Sequence, residues 1–448
     1  MSPSASLPET GGSTAVILRS NDICHLGIVR ALKAAGVRTV AAVFDYPGAP
    51  DWLSDATAAA DRTVRIPNPG ADEAGAVAAL EQLGIEEGAD GRRPMLWASS
   101  DTGLVLFGRN EERLGKRFRF LGEEPDGRVP WRTLDKGRTA AILDAAGVGQ
   151  PLTLACSTSG EIPAVAAAMR YPCVYKPAVK DLTQSFYRGH GGLKAVTCAD
   201  ARELSERLPA EIAAGHRLVV QELVEYEGVE AEVPFYAYVD RCHRIRMALT
   251  ACKERVEPPG FGTATVLRIT WHPELLEAAQ TIATALAWHG PLMIEFTRDM
   301  RTGAWQVIEI NGRPWLLNDF YRRAGFDFVG MIYREHELPD GLMVPSPALL
   351  ARRPVMVDMP AELAAMRRHG EAVDQPVMDR RLAGIGGDIY FSYDDPDDPG
   401  PGRACRQAIK QRYGVIYPPS FDDMGVAADA GGNNNQPGLD QPLRREMV

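Results

Sequence analysis

The stretch MIEFTRDMRTGAWQVIEINGRPWLLNDFYRRAGFDF, Met293 to Phe328, decides how the chain is read. Ile294 to Thr297 and Trp305 to Ile310 carry the Ile, Val and aromatic residues that suit a pleated surface, which predicts two short strands. Arg298 to Ala304 between them is polar and holds Asp299 and Gly303, the composition of a turn. Glu295 stands between Ile294 and Phe296, and Glu309 between Ile308 and Ile310. A carboxylate in such a run is costly to bury without a partner. Two of them on neighbouring strands repel unless a cation lies between. Asn311 projects to the same side as Glu309, because strand side chains alternate. Glu295, Glu309 and Asn311 thus form an oxygen-only cluster. That suits Mg²⁺, a hard ion that takes a few protein oxygens plus substrate phosphates. Arg313 follows two residues later, placed for a phosphate or a developing anion. The plainer reading is a hairpin whose acids face water.

The rest of the chain bounds the possibilities. Its 448 residues allow two or three domains with a large core. The net charge of −10 argues against a general nucleic-acid or anionic-membrane binder. Seven scattered cysteines without C-x-x-C or Cys/His metal spacing suit a reducing compartment. The first residues have no basic or apolar run of a signal peptide, and no stretch approaches a membrane span. The expected location is the cytoplasm.

Two further regions carry local chemistry. Thr14 to Ser20, a helix ending near Gly36, and Arg38 to Asp45 read as strand–helix–strand, the unit of an open parallel sheet. Its ligand-side loops are Ser20-Asn21-Asp22 and Ser99-Ser100-Asp101, the latter after a strand at Pro94 to Ala98 and before a helix from about Thr102 to Leu114. No G-x-G-x-x-G follows either strand, so a dinucleotide site is not expected. In PCVYKP, Lys176 sits inside an apolar strand and needs an anionic partner. Gly189, Gly191 and Gly192 then offer backbone N–H groups to phosphates, and Arg188, His190 and Lys194 add polar and basic character. Lys136 lies in the first turn of a helix capped by Thr133 or Asp135, the wrong end for a cation on dipole grounds. On a later predicted hairpin, Arg246, Lys253 and Arg255 alternate nearly in phase and can face an anionic cleft. The acidic run Asp394-Asp395-Pro396-Asp397-Asp398 reads as an exposed Pro-rich turn.

EF, turn, IEINGRPW, preceded in order by Asp135-Lys136, Lys176 and the glycine-rich loop, resembles the ATP-grasp ligases, especially their carboxylate–amine branch, over about residues 14–345. The resemblance implies an α/β chain, α+β in its ATP-binding part, with three segments carrying the fold. These are an N-terminal open parallel-sheet domain at 14–132, a linker helix and central lid domain at 133–224, and a metal-binding domain at 225–345. A C-terminal extension at 346–424 and disordered ends at 1–13 and 425–448 complete the expectation. It further implies that Lys136 and Lys176 neutralise ATP phosphates under a lid containing Arg188, His190, Gly191, Gly192 and Lys194. Glu222, with the backbone of Leu223 and Val224, would read adenine, Glu230 would meet ribose, and Gly260-Phe261-Gly262 would lie beside the transferred group. Glu295, Glu309 and Asn311 would hold Mg²⁺, with Mn²⁺ as a substitute, and Arg313, Lys253 and Arg255 would act in catalysis. The implied activity is ATP-dependent ligation of a carboxylate to an amine, with amino acids as the default substrates, through an acyl phosphate. A carboxylase or carbamoyl-type ligase and a non-catalytic nucleotide binder are the alternatives. A homodimer is expected only by analogy.

Overall fold

The computed structural model describes residues 13–46, 53–88, 91–121, 131–259 and 262–417. The expected disordered ends, Ser13 excepted, and Gly260 and Phe261 lie outside the described residues. Among the described residues three sheets organise the chain. The first holds β1 (Thr14–Arg19), β2 (Arg38–Asp45), β3 (Arg62–Pro67), β4 (Met95–Ala98) and β5 (Arg119–Phe120), in the order β3-β2-β1-β4-β5. All its pairs are parallel. Runs such as Val40 to Phe44 are buried throughout because helices cover both faces, as parallel sheets require. The helix Asp22–Ala34 starts where Asn21 accepts from the Cys24 N–H at 2.9 Å, a side-chain cap. The helix expected from Thr102 to Leu114 is instead two, Asp101–Arg109 and Glu111–Leu114. Asn110 breaks it: its amide bonds back to the Leu106 carbonyl and across to Glu73, both at 2.9 Å.

The second sheet is antiparallel, with β6 (Thr153–Cys156), β7 (Cys173–Pro177), β8 (Val196–Cys198) and β9 (Leu218–Glu222) in the order β6-β9-β7-β8. The third holds β10 (Glu232–Val239), β11 (Ile245–Glu257), β12 (Thr263–Thr270), β13 (Gly290–Arg298), β14 (Trp305–Asn311), β15 (Val355–Val357) and β16 (Ile389–Phe391). Its order is β14-β13-β10-β11-β12-β15-β16. The segment expected as a C-terminal extension therefore supplies two strands of this sheet, β15 against β12 and β16 parallel to β15. No helix among the described residues is long and apolar enough to cross a membrane.

The first and third sheets are joined through the helices Asp22–Ala34 and Asn318–Arg323. Gly27 allows the close approach: a Cβ there would lie 2.2 Å from Asn318 Oδ1. Beside it Arg30, with its side chain 2% exposed, donates to Asp319 at 2.7 Å and to Asp398 at 2.9 Å. This overturns the expectation for the acidic run. Asp394, Asp395 and Asp398 are each 4% exposed. Asp395 pairs with Arg322, Asp394 with Arg406 at 2.6 Å, and Asp398 with Arg30. Arginines from three other helices, one buried and two half-buried, meet the run.

Removing one member of a buried ion pair leaves an uncompensated charge, which costs about 3–5 kcal/mol. Arg30→Leu, which leaves Asp319 with Arg322 as its remaining cation and Asp398 with only the Thr57 and Ala58 hydrogen bonds, is expected to destabilise the chain by up to that order in urea unfolding. A loss under about 1 kcal/mol would mean that the carboxylates find other partners or water.

Candidate functional site

The hairpin β13–β14 places Glu295 directly opposite Glu309, and Met293 opposite Asn311. An irregularity between Glu295 and Phe296 shifts the register next to the pair, a bulge of the kind that re-aims side chains at sites. Gly312 then lets the chain pass under the helix start: a Cβ there would meet Trp288 at 2.4 Å and Thr133 Oγ1 at 2.5 Å. Glu309 and Asn311 line an open cleft with Asp101, Lys136, Lys176 and Lys180.

The cleft gathers cations around Glu309. Among the described residues Glu309 makes no side-chain hydrogen bond and no ion pair within 4.0 Å. Burial pushes its carboxyl up, but Lys136, Lys176, Lys180 and Lys194 outweigh this and hold it below the usual carboxylate range. Glu295 is served from the other side. Lys253 Nζ lies 3.2 Å from it and also pairs with Glu232, which donates no proton but completes a carboxylate–ammonium–carboxylate chain. Burial would depress the Lys253 ammonium, yet Glu295 and Glu232 hold it above the ordinary lysine value. Burial, with Glu309 and Glu232, pushes the Glu295 carboxyl up against the pull of Lys253.

The lysines of the second sheet face the same space. Lys176 on β7 donates to Gln221 on β9 at 3.0 Å, and burial depresses it to about 8 against the pull of Glu309. Burial likewise depresses Lys194 to about 8 and lowers Lys136. Depressed lysines crowded round a carboxylate mark a site built for more negative charge than the chain supplies.

The other residues expected at the site divide. Arg313 is 8% exposed and is bonded to Asp101, with its Nη2 3.5 Å from Asn311 Oδ1. Gly191 and Gly192 adopt φ of 62° and 93°, as glycine-rich turns do, but the Gly192 N–H is taken by the Tyr187 carbonyl at 2.8 Å. Glu222 lies 3.8 Å from Arg170. Val224, just after β9, is 7% exposed. Several expectations need correction. Here His190 belongs to the packing of its own domain, stacked on Phe186 with centroids 4.2 Å apart and 3.0 Å from Glu211. The Leu223 N–H donates to the Pro172 carbonyl at 3.3 Å, so in this structure it is not free to read a base. Arg188 and Glu230 are exposed, with no side-chain partner among the described residues. Arg246 pairs with Asp240 at 3.6 Å and donates to the Pro339 carbonyl at 2.9 Å. Arg255 turns to Glu362, 2.7 Å away, because irregularities on either side of it break the phase with Lys253.

Four partners escaped the sequence reading: Lys180, Gln221, Glu232 and the Asp101 carboxylate as the counter-ion of Arg313. Lys180 stands outside any apolar run, so nothing in its neighbourhood marked it. Glu232 was legible only as an acid at a strand start. The Glu295, Glu309 and Asn311 set has two carboxylates and one amide. Among the described residues no group of three or more His, Cys, Asp or Glu could hold a metal by itself. Such a set still fits Mg²⁺, which is bound by one or two carboxylates with substrate oxygens completing the shell.

The architecture is the ATP-grasp fold. The L-amino acid ligase of Bacillus licheniformis superposes with a TM-score of 0.52 at 18% identity, covering 74% of this chain and 75% of that one. N5-carboxyaminoimidazole synthetase of Staphylococcus aureus gives 0.52 at 16% identity over 73% and 79%. The biotin carboxylase domain of Hydrogenobacter thermophilus 2-oxoglutarate carboxylase, solved with MgADP and bicarbonate, gives 0.54 at 18% identity over 73% and 71%. By sequence, the carbamoyl phosphate synthase large chain of Hyperthermus butylicus is 25% identical over 249 residues. That match spans 52% of this chain and about a fifth of the relative, 21%. No protein-family model matches the chain.

A lysine held at about 8 destabilises the fold at neutral pH. Between about 8 and its ordinary 10.5 the unfolded chain binds more protons than the folded one, so stability rises with pH there, and the penalty is complete below that window. Lys176→Met is expected to raise stability at pH 7 by on the order of 1 kcal/mol, after allowance for the lost partner of Glu309. The gain should fade as pH rises towards 10.5 in urea unfolding. Destabilisation at pH 7 would mean that Glu309 needs this lysine more than burial penalises it.

Proposed function

We propose that the chain is an ATP-dependent ligase that joins a carboxylate to an amine, forming an amide and releasing ADP and phosphate. The observation that carries the reading is Glu309. It is a strand carboxylate without a bonded partner among the described residues, opposite Glu295 and ringed by Lys136, Lys176, Lys180 and Lys194. A site with that balance suits a polyphosphate arriving with a divalent cation. The named activities of the proteins that share the fold agree with an ATP-consuming ligation.

In this reading Glu295, Glu309 and Asn311 hold Mg²⁺, or Mn²⁺ in its place. When bound, the ion would supply neutralisation of phosphate charge. Lys136 and Lys176 neutralise phosphate oxygens, with Lys180 and Lys194 adding field. The substrate carboxylate attacks the γ-phosphorus in line, and the P–O bond to ADP breaks. The amine then attacks the acyl carbon and phosphate leaves, while Arg313 stabilises the tetrahedral anion. The chain contributes positioning and electrostatics rather than covalent chemistry. Lys253 acts indirectly, by holding Glu295 and Glu232. Excluding water protects the acyl phosphate from hydrolysis. Amino acids are the default substrates, the cytoplasm the proposed location, and a homodimer the proposed assembly. Nucleic acid and membrane are not proposed partners.

A second reading, ATP-dependent carboxylation or carbamoyl-type chemistry, is favoured by the names of the carboxylases and the synthase reported above. ADP and phosphate release should be measured with Mg²⁺-ATP against amino acids singly and in pairs, and against bicarbonate. Release that needs a carboxylate and an amine together is the expected outcome. Bicarbonate dependence would select the second reading. AMP and pyrophosphate would sink the acyl-phosphate route, and ATP binding without release from any of these substrates would leave a nucleotide-binding protein. Glu309→Gln is expected to lower turnover by about 100-fold or more, since it removes a group that acts on developing charge, with the circular dichroism spectrum unchanged. Near-wild-type turnover would remove Glu309 from the metal site.

A further inference from the structure

Residues 178–184 leave β7 of the second sheet and lie on the domain of the first. Leu182 is 7% exposed and belongs to the apolar core of that domain with Leu18, Phe44, Ile66 and Leu104, and Val179 packs against the same core. Gly70 admits it, since a Cβ there would lie 2.7 Å from the Leu182 carbonyl oxygen. Gln184 has φ 54°, a region rare for residues other than glycine, and its amide donates to Thr102 Oγ1 at 3.1 Å. A side chain held there against its backbone preference implies that its surroundings fix it. Lys180 Nζ lies 2.9 Å from Asp101 Oδ2. The other oxygen of Asp101 accepts from Arg313 Nε. One carboxylate at the start of the helix Asp101–Arg109 is thus shared between this strap and the arginine that follows the glutamate hairpin.

We infer that Asp101 is a positioning residue which couples docking of the 178–184 strap to the seating of Arg313. The coupling is dielectric in origin. With the strap docked, Asp101 and Arg313 have side chains 15% and 10% exposed, and their attraction acts across little water. With the strap released, Asp101 loses Lys180, water enters, and the remaining pair weakens towards the small value of an exposed ion pair. Arg313 is then free to swing. Lys180 follows the strand lysine Lys176 by four residues, so the state of the second sheet reaches Arg313 through Asp101. The catalytic consequence rests on the ligase reading. The coupling itself does not, and its test uses no turnover.

The experiment is performed on the full chain without ligand. Hydrogen–deuterium exchange reports the strap, and phenylglyoxal labelling read by peptide mass spectrometry reports Arg313. Leu182→Ala, which removes the apolar anchor and leaves both charges, is expected to speed exchange of the 178–190 amides about tenfold and to raise Arg313 labelling about threefold or more. Asp101→Asn and Lys180→Gln should each speed strap exchange, and the double variant should do no more than either alone, because both break one contact. Asp101→Glu should recover part of the protection. Strap exchange unchanged in Leu182→Ala would overturn the docking. A loosened strap with unchanged Arg313 labelling would overturn the coupling. Thermal unfolding accompanies each variant. If Leu182→Ala is unfolded, Gln184→Ala, which touches only the strap's hydrogen bond to Thr102, takes its place with the same criteria.

Discussion

Two carboxylates face each other across one register pair of an antiparallel hairpin, and most of the charge in the protein's centre answers to them. Glu295 and Glu309 cannot both be ionised at that spacing in a half-buried cleft unless positive charge surrounds them. The fold supplies it asymmetrically. Glu295 receives Lys253 from the middle of its own sheet, whereas Glu309 receives lysines from the second sheet and from the helix that leads into it. The asymmetry leaves Glu309 with cations nearby but none bonded. A polyphosphate with its cation would satisfy that group and those lysines together.

The same logic explains why three sheets are needed. A hairpin alone presents the acids to water. The second sheet brings Lys176 and Lys194 over them, burying lysines against their preference, as their depression to about 8 records. The first sheet's domain contributes Asp101, the one acid from that domain in the cleft lining among the described residues, which restrains Arg313 and Lys180. Burying these lysines costs stability, a trade of the kind made at preorganised sites.

Away from the cleft, ion pairs with a buried carboxylate fix how the parts of the chain meet. Arg30 joins the first domain to Asp319 and Asp398, and Arg255 joins the third sheet to Glu362 on the helix Met359–Arg368. Apolar packing of equal volume could match their stability. Ion pairs add angular demand, since each guanidinium must meet its carboxylate in a set direction. The C-terminal segment participates in this as a builder of the third sheet.

By itself the sequence determined the hairpin, its two glutamates, the strand lysine, the glycine-rich loop and the parallel unit at the start. Each is a local pattern: period-two strands, a charge inside an apolar run, or a capped helix after a buried strand. Their order resembles that of the ATP-grasp ligases, and that resemblance implied the architecture. Only the tertiary structure decided which charges serve which. Arg255 looked in phase with Lys253 until irregular strand pairing turned it to Glu362. His190 read as a phosphate contact, and in this structure its ring stacks on Phe186 and lies 3.0 Å from Glu211. The run Asp394 to Asp398 looked solvated until Arg30, Arg322 and Arg406 reached it. Lys180 gave no local sign, and Asp101 showed only as the last residue of a ligand-side loop, with nothing to name Arg313 as its partner. The reason is common to these cases. A charged side chain carries no periodicity that names its partner, and its pairing depends on distances between segments, near and far in sequence, which only the folded chain sets.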